Sequence, residues 1–164
     1  MTELFVDRKA EFSPCRTYRN CLRIVWNKDL PVAAFVGLNP STADEFRDDP
    51  TIRRERGFAV AWGCGGLLKL NIFAFRSTDP KVMLNHPEPI GPVNSIQYMN
   101  AKLADIKGPK IAAWGKHGAH RGRGDEVLRM VPGLQYLRLN GDGSPAHPLY
   151  LPASLVPKFF EVCR

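Results

Sequence analysis

Four short apolar runs, each ended by glycine or a polar residue, constrain this chain most. They are Val32–Val36, Leu67–Leu70, Lys110–Gly115 and Leu134–Asn140. Runs this short suit strands buried on both faces, because a buried helix needs ten or more residues. Amphipathic stretches separate them. Asp49-Pro50 suits a helix start, with Ile52, Phe58 and Ala59 facing inward, and Asn94–Lys107 carries Ile96, Met99, Leu103 and Ile106 at helical spacing. GDEVLRMVPG reads as a further helix, and RSTDPKVMLNHPEPIGP as a turn-rich connection. Ahead of these, Cys21–Lys28 alternates like a half-exposed strand. The alternation predicts an α/β fold: a three-layer α/β/α sandwich around a central, mostly parallel four-stranded sheet.

At 164 residues with 44% apolar content, the chain suits one domain and is not disordered. No apolar run reaches membrane-spanning length. The start, MTELFVDRKAEF, is charged where a secretion signal needs an apolar stretch, so a cytoplasmic location is expected. Twenty-three Lys and Arg against sixteen Asp and Glu give a net charge of +7, which favours a polyanionic partner, nucleic acid first. Cys15, Cys21, Cys64 and Cys163 form no C-x-x-C and no zinc-type group with histidine. They are expected to be reduced and mostly buried thiols; no metal or cofactor is expected, and a monomer is.

Loops leaving neighbouring parallel strands converge on one rim of a sheet. Asn39 after the first run, Asn71 at the end of the second and His147 after the fourth are therefore expected to share a site. Each has a plainer role open to it. Asn-Pro is a common turn device, Asn71 can tie two loops together, and His-Pro occurs twice, at His86 and His147. Gly115–Gly124 sets Lys116, Arg121 and Arg123 among glycines, either to approach phosphates or as a solvated basic loop. Asp48-Asp49-Pro50-Thr51, followed by Arg53, Arg54 and Arg56, is a charged helix start from which Asp49 or Arg53 can face the site.

In four places, in order, the chain resembles the uracil-DNA glycosylase superfamily. Gly37-Leu38-Asn39-Pro40-Ser41 is similar to its first motif, in the form used by the mismatch-specific thymine/uracil branch. Leu67–Asn71 is similar to the strand delivering its base-reading asparagine, Lys110–Gly115 to its Trp-Gly strand, and His147–Leu151 to its last motif. The chain also resembles, almost throughout, a family of small bacterial and phage proteins labelled as a domain of unknown function. GLNPSTAD, DDPT, NIFAFRSTDP, AWG and HPLYLP carry that likeness.

The superfamily resemblance implies a DNA glycosylase that hydrolyses the N-glycosidic bond of a flipped-out pyrimidine without metal or cofactor. Asn39 would hold the attacking water, His147 would donate to the departing base, and Asn71 would read its polar edge. Leu38, Ser41, Phe46 and Asp49 would complete the base pocket, with Phe46, Phe58 and Phe73 as candidates for the stacking aromatic. Lys116, Arg121 and Arg123 would hold DNA, and Leu149, Tyr150 or Leu151 would wedge into the gap. Two departures stand out. Ser41 is small where the uracil-specific branch has an aromatic, which implies room for C5-modified pyrimidines, including the glucosylated cytosines of phage DNA. Leu149 replaces a phosphate-binding serine. The alternatives are a module that binds a modified base without cutting it, or a hydrolase of free nucleosides or nucleotides.

Overall fold

The computed structural model describes residues 6–161. Seven strands form one mixed sheet: β1 (Asp7–Phe12), β2 (Arg19–Val25), β3 (Val32–Gly37), β4 (Gly66–Asn71), β5 (Lys110–Ala112), β6 (Gln135–Tyr136) and β7 (Lys158–Phe159). Their spatial order is β1-β2-β4-β3-β5-β6-β7. The four central strands β4, β3, β5 and β6 run parallel, and β1, β2 and β7 join antiparallel. The expected four-stranded sheet is thus the core of a seven-stranded one.

Residue alternation explains how both faces are covered. In β3, Ala34 and Val36 join Leu68 and Leu70 of β4 on one face, and Phe35 joins Leu67 on the other. The first face packs against α2 (Pro80–Asn85) through Met83, α3 (Ile96–Leu103) through Met99 and α4 (Arg123–Met130) through Val127. The second packs against α1 (Pro50–Ala61) through Ile52 and Phe58. Each large side chain buried here contributes about 1.5–3 kcal/mol. Asp49 caps α1, its Oδ1 accepting from Ile52 N at 2.8 Å, and Pro50 follows at the first helical position.

Several expectations are corrected. Of the stretch Cys21–Lys28, only Cys21–Val25 is strand, and Arg23 is the one exposed position within β2, with Cys21, Leu22 and Ile24 buried, because β1 and β4 flank it. The turn-rich connection contains α2. The run Leu134–Asn140 pairs as strand only at Gln135–Tyr136. Cys21 and Cys64 are buried thiols, Cys15 is exposed, and Cys163 lies outside the described residues. Among the described residues, no helix is long and apolar enough to cross a membrane.

Connectivity sets where a site can form. From β3 the chain crosses to β4 on one side, then returns to β5 on the other. Crossovers leaving in opposite directions open a crevice beyond the carboxyl ends of these strands.

Candidate functional site

A cavity of about 620 Å³ fills that crevice. The exit of β3 contributes Gly37 through Ser41, and β4 contributes Lys69 and Asn71. The exit of β5 contributes Trp114 through His117, and the segments after β6 contribute Arg138, Asn140 and His147. Asp49, Thr51 and Ile52 close it from the start of α1. Asn39, Asn71 and His147 therefore border one space.

Each is held in a definite way. The amide nitrogen of Asn39 donates to Ser77 O at 3.0 Å and to Pro40 O and Phe75 O at 3.3 Å each. Its Oδ1 has no protein partner among the described residues and is free to accept from water. Asn71, buried to 3% exposure, lies beside Gly37 in the parallel register. Its Oδ1 accepts from Arg19 Nη2 at 3.3 Å, which leaves its Nδ2 as the group to offer a ligand.

His147 sits at the exposed rim and caps the 3-10 turn Pro148–Tyr150, its Nδ1 accepting from Leu149 N at 3.3 Å. An accepting Nδ1 places the proton of the neutral ring on Nε2. Desolvation by the pocket wall and the nearby Lys69 charge depress its pKa to about 4, with Asp49 pulling the other way. At neutral pH this side chain is an uncharged Nε2–H donor.

Beneath these residues lie charged groups that sequence reasoning missed. Lys69 Nζ is 2.5 Å from Glu55 Oε1, and Glu55 is fully buried. Arg19, 2% exposed, donates from Nη1 to Ala43 O at 2.8 Å, while its Nε is buried without a partner. Burial lowers the Arg19 pKa to about 10, countered by the charges of Asp49 and Glu55. Burial raises that of Glu55, countered by Lys69. The only sequence signal for this cluster was a lone lysine inside an apolar strand.

Residues 19–149 match the model of a family described as a protein of unknown function. The chain belongs to the DUF1643 family. No curated protein and no solved structure matches it. The matched span takes in all the strand exits around the cavity. The family's description names no activity.

Not every expected site residue reaches the cavity. Leu38, Ser41, Asp49 and Lys116 border it. Phe46 is 83% exposed on the β3–α1 loop and is not part of the wall. Phe58 and Phe73 are core residues, so the aromatic at the wall is Trp114. Gly118 and Gly124 press against the Trp114 indole, where an added Cβ would lie 2.1 and 2.8 Å from ring atoms.

The basic loop divides likewise. Arg123 is 3% exposed, with Nε, Nη1 and Nη2 donating to Ile72 O, Glu126 Oε2 and Asn94 O. It is a structural residue, contrary to the expectation that it holds DNA. Arg121 is committed to Pro87 O at 3.1 Å, away from the cavity wall. The wall cation sequence reasoning overlooked at the rim is Arg138. Arg53 turns back to Asp48 O at 3.3 Å. Leu149 and Tyr150 lie just outside the wall beside His147, with Tyr150 92% exposed.

Proposed function

We propose that the protein is a DNA glycosylase that hydrolyses the N-glycosidic bond of a flipped-out pyrimidine, mismatched or substituted at C5, and leaves an abasic site. One observation carries this: a free Asn39 Oδ1, an Asn71 amide and an uncharged His147 imidazole border a single cavity at the carboxyl rim of the sheet. The four motifs resembling the uracil-DNA glycosylase superfamily, in its order, support the same conclusion.

The chemistry follows from the groups available. The C1′–N1 bond breaks with its electron pair going to the base, and His147 Nε2–H meets the charge growing on O2. Once a bound base has displaced the water from the cavity, a donor aimed at that oxygen lowers the barrier by about 3–4 kcal/mol. Asn39 Oδ1 holds the water that adds to C1′. An amide takes no proton, so Asn39 acts by positioning, and the water's proton passes to solvent or to the departing anion. The cavity volume equals about twenty waters at ~30 Å³ each, more than a bare pyrimidine fills, and Ser41 leaves space toward C5. Lys116 and Arg138 at the rim suit backbone phosphates, and Tyr150 suits the role of wedge in the duplex.

Treating the protein with DNA carrying uracil, a thymine mismatch, hydroxymethylcytosine or its glucosylated form, then heating in alkali, tests this. Strand breaks at one of these bases are expected, and intact strands throughout would refute it. The rim cations also suit the phosphate of a free nucleotide, so the same bases are offered as mononucleotides. Turnover of those alone would favour a nucleotide hydrolase instead.

A further inference from the structure

Lys69 stands in the middle of β4, between Leu68 and Leu70, yet it borders the cavity with only 5% of its side chain exposed. Its ammonium has three protons. One goes to Glu55 Oε1 at 2.5 Å, and no other protein acceptor takes the rest among the described residues. Glu55 Oε2 is buried and unpartnered. Stability does not account for such a pair, since apolar side chains of similar volume commonly serve a buried position as well or better. The absence of a side chain at Gly37 makes room for it: a Cβ there would lie 2.5 Å from Lys69 Nζ and 3.0 Å from Asn71 Nδ2.

Position along the strand gives the pair its meaning. Lys69 lies two residues, or roughly 6–7 Å, deeper than Asn71 from the carboxyl rim. A base entering from the rim, with its glycosidic nitrogen outermost, presents its remote edge to this floor. The floor there is rich in donors: Lys69 Nζ, and Asn71 Nδ2 because Asn71 Oδ1 is taken by Arg19. Of the nearby acceptors, Glu55 lies behind Lys69 and is not part of the cavity wall, and Asp49 spends Oδ1 on Ile52 N. The groups this floor presents are therefore donors without a lone pair, which reject an amino group and accept a carbonyl.

Building on the glycosylase proposal, we propose that Lys69, held by Glu55, hydrogen-bonds the carbonyl oxygen on the remote edge of a diketo pyrimidine and stabilises the base as it departs as an anion. Lys69 is then both a catalytic and a specificity-determining residue. It selects the uracil-like pattern of C5-substituted bases over the cytosine-like one.

The test uses two DNA substrates differing only at that edge, 5-hydroxymethyluracil and 5-hydroxymethylcytosine in the same sequence, under single turnover. The wild type is expected to excise the diketo base at least about 100-fold faster, as an unpaired buried donor would dictate. Lys69→Met paired with Glu55→Leu removes both charges of the pair together; Arg19 keeps Asp49 as its counter-charge, and a thermal melt confirms that the variant is folded before rates are compared. That variant is expected to lose about 100-fold on the diketo substrate and to excise both bases at the same slow rate. Equal excision of the two bases by the wild type, or an unchanged preference in the double variant, overturns the role of Lys69. Binding of the two free bases, measured by calorimetry, separates this from failure of the glycosylase proposal. If no DNA is cut, a preference for free 5-hydroxymethyluracil that vanishes in the double variant upholds the floor contact. Equal binding refutes it.

Discussion

Two buried arginines meet the Asn71–Ile72 step, one from α4 and one from β2, and they are held differently. Arg123 has all three nitrogens engaged, to Ile72 O at 3.0 Å, Glu126 Oε2 at 3.0 Å and Asn94 O at 2.7 Å. Asn94 adds its own donations to Asn71 O and Ile72 O, with only its Oδ1 left open. Arg19 reaches Ala43 O and Asn71 Oδ1 but keeps Nε bare, above a Glu55 whose Oε2 is bare as well. The Arg123 cluster pairs all three guanidinium nitrogens and leaves one neutral amide oxygen open, whereas the Arg19–Glu55 cluster leaves atoms of both charged groups bare beside a cavity, where an occupant can reach them. Beta strand β4 therefore has a structural side and a chemical side.

Breaking the saturated side has the largest effect on stability. Arg123→Met strands Asn94 O, leaves Ile72 O with the Asn94 amide alone and frees Glu126, and is expected to cost about 2–5 kcal/mol in urea denaturation, with the excision rate per folded molecule unchanged. The rim behaves in the opposite way. His147→Ala and Asn39→Ala are each expected to lose at least about 100-fold in single-turnover rate; the melting temperature stays near the wild type's in His147→Ala and falls modestly in Asn39→Ala, which removes the donor to Ser77 O, Phe75 O and Pro40 O. Arg19→Met lies between, with about 1–3 kcal/mol lost in denaturation and a slower rate because Asn71 is no longer oriented. A rate loss in Arg123→Met larger than that in Arg19→Met would reverse the comparison.

Protonation gives a finer handle on the rim. Because the His147 pKa is depressed to about 4, its donating neutral form persists as pH falls through the ordinary histidine range. The rate is expected to be flat from about pH 8 to 5 and to fall below that, because protonation of Nδ1 removes the acceptor for Leu149 N that orients the ring. A break near the ordinary histidine value would mean that the ring is solvated and not aimed at a base. The smallest effect belongs to phosphate contacts. Lys116→Ala and Arg138→Ala should each reduce the slope of DNA affinity against salt by about one, whereas Arg123→Met should leave it alone.

Hydrophobic period made the parallel core visible in the sequence, since β3, β4 and β5 are nearly pure apolar runs. The edge strands were not visible. In β1, DRKAEF is mostly charged, and only pairing with β2 makes it a strand. Helix α2 has six residues, beginning at Pro80, too few to show a helical stripe. The three polar strand exits were legible because topology alone brings them to one rim. The floor was not, because a lysine or arginine in a strand reads as a solvent-facing position until α1 brings Glu55 over it. Arg123 misled for the converse reason. Flanked by glycines it reads as a phosphate-approaching or solvated basic loop, although those glycines let the chain turn tightly and pack on Trp114.

Release of free base from DNA, resolved from nucleoside by chromatography, tests the central claim most directly. Wild-type protein is expected to liberate an intact pyrimidine and leave an alkali-labile abasic site in equal amount, and His147→Ala and Asn39→Ala to liberate almost none. Equal release by all three proteins, or none from any base with or without a C5 substituent, would contradict it.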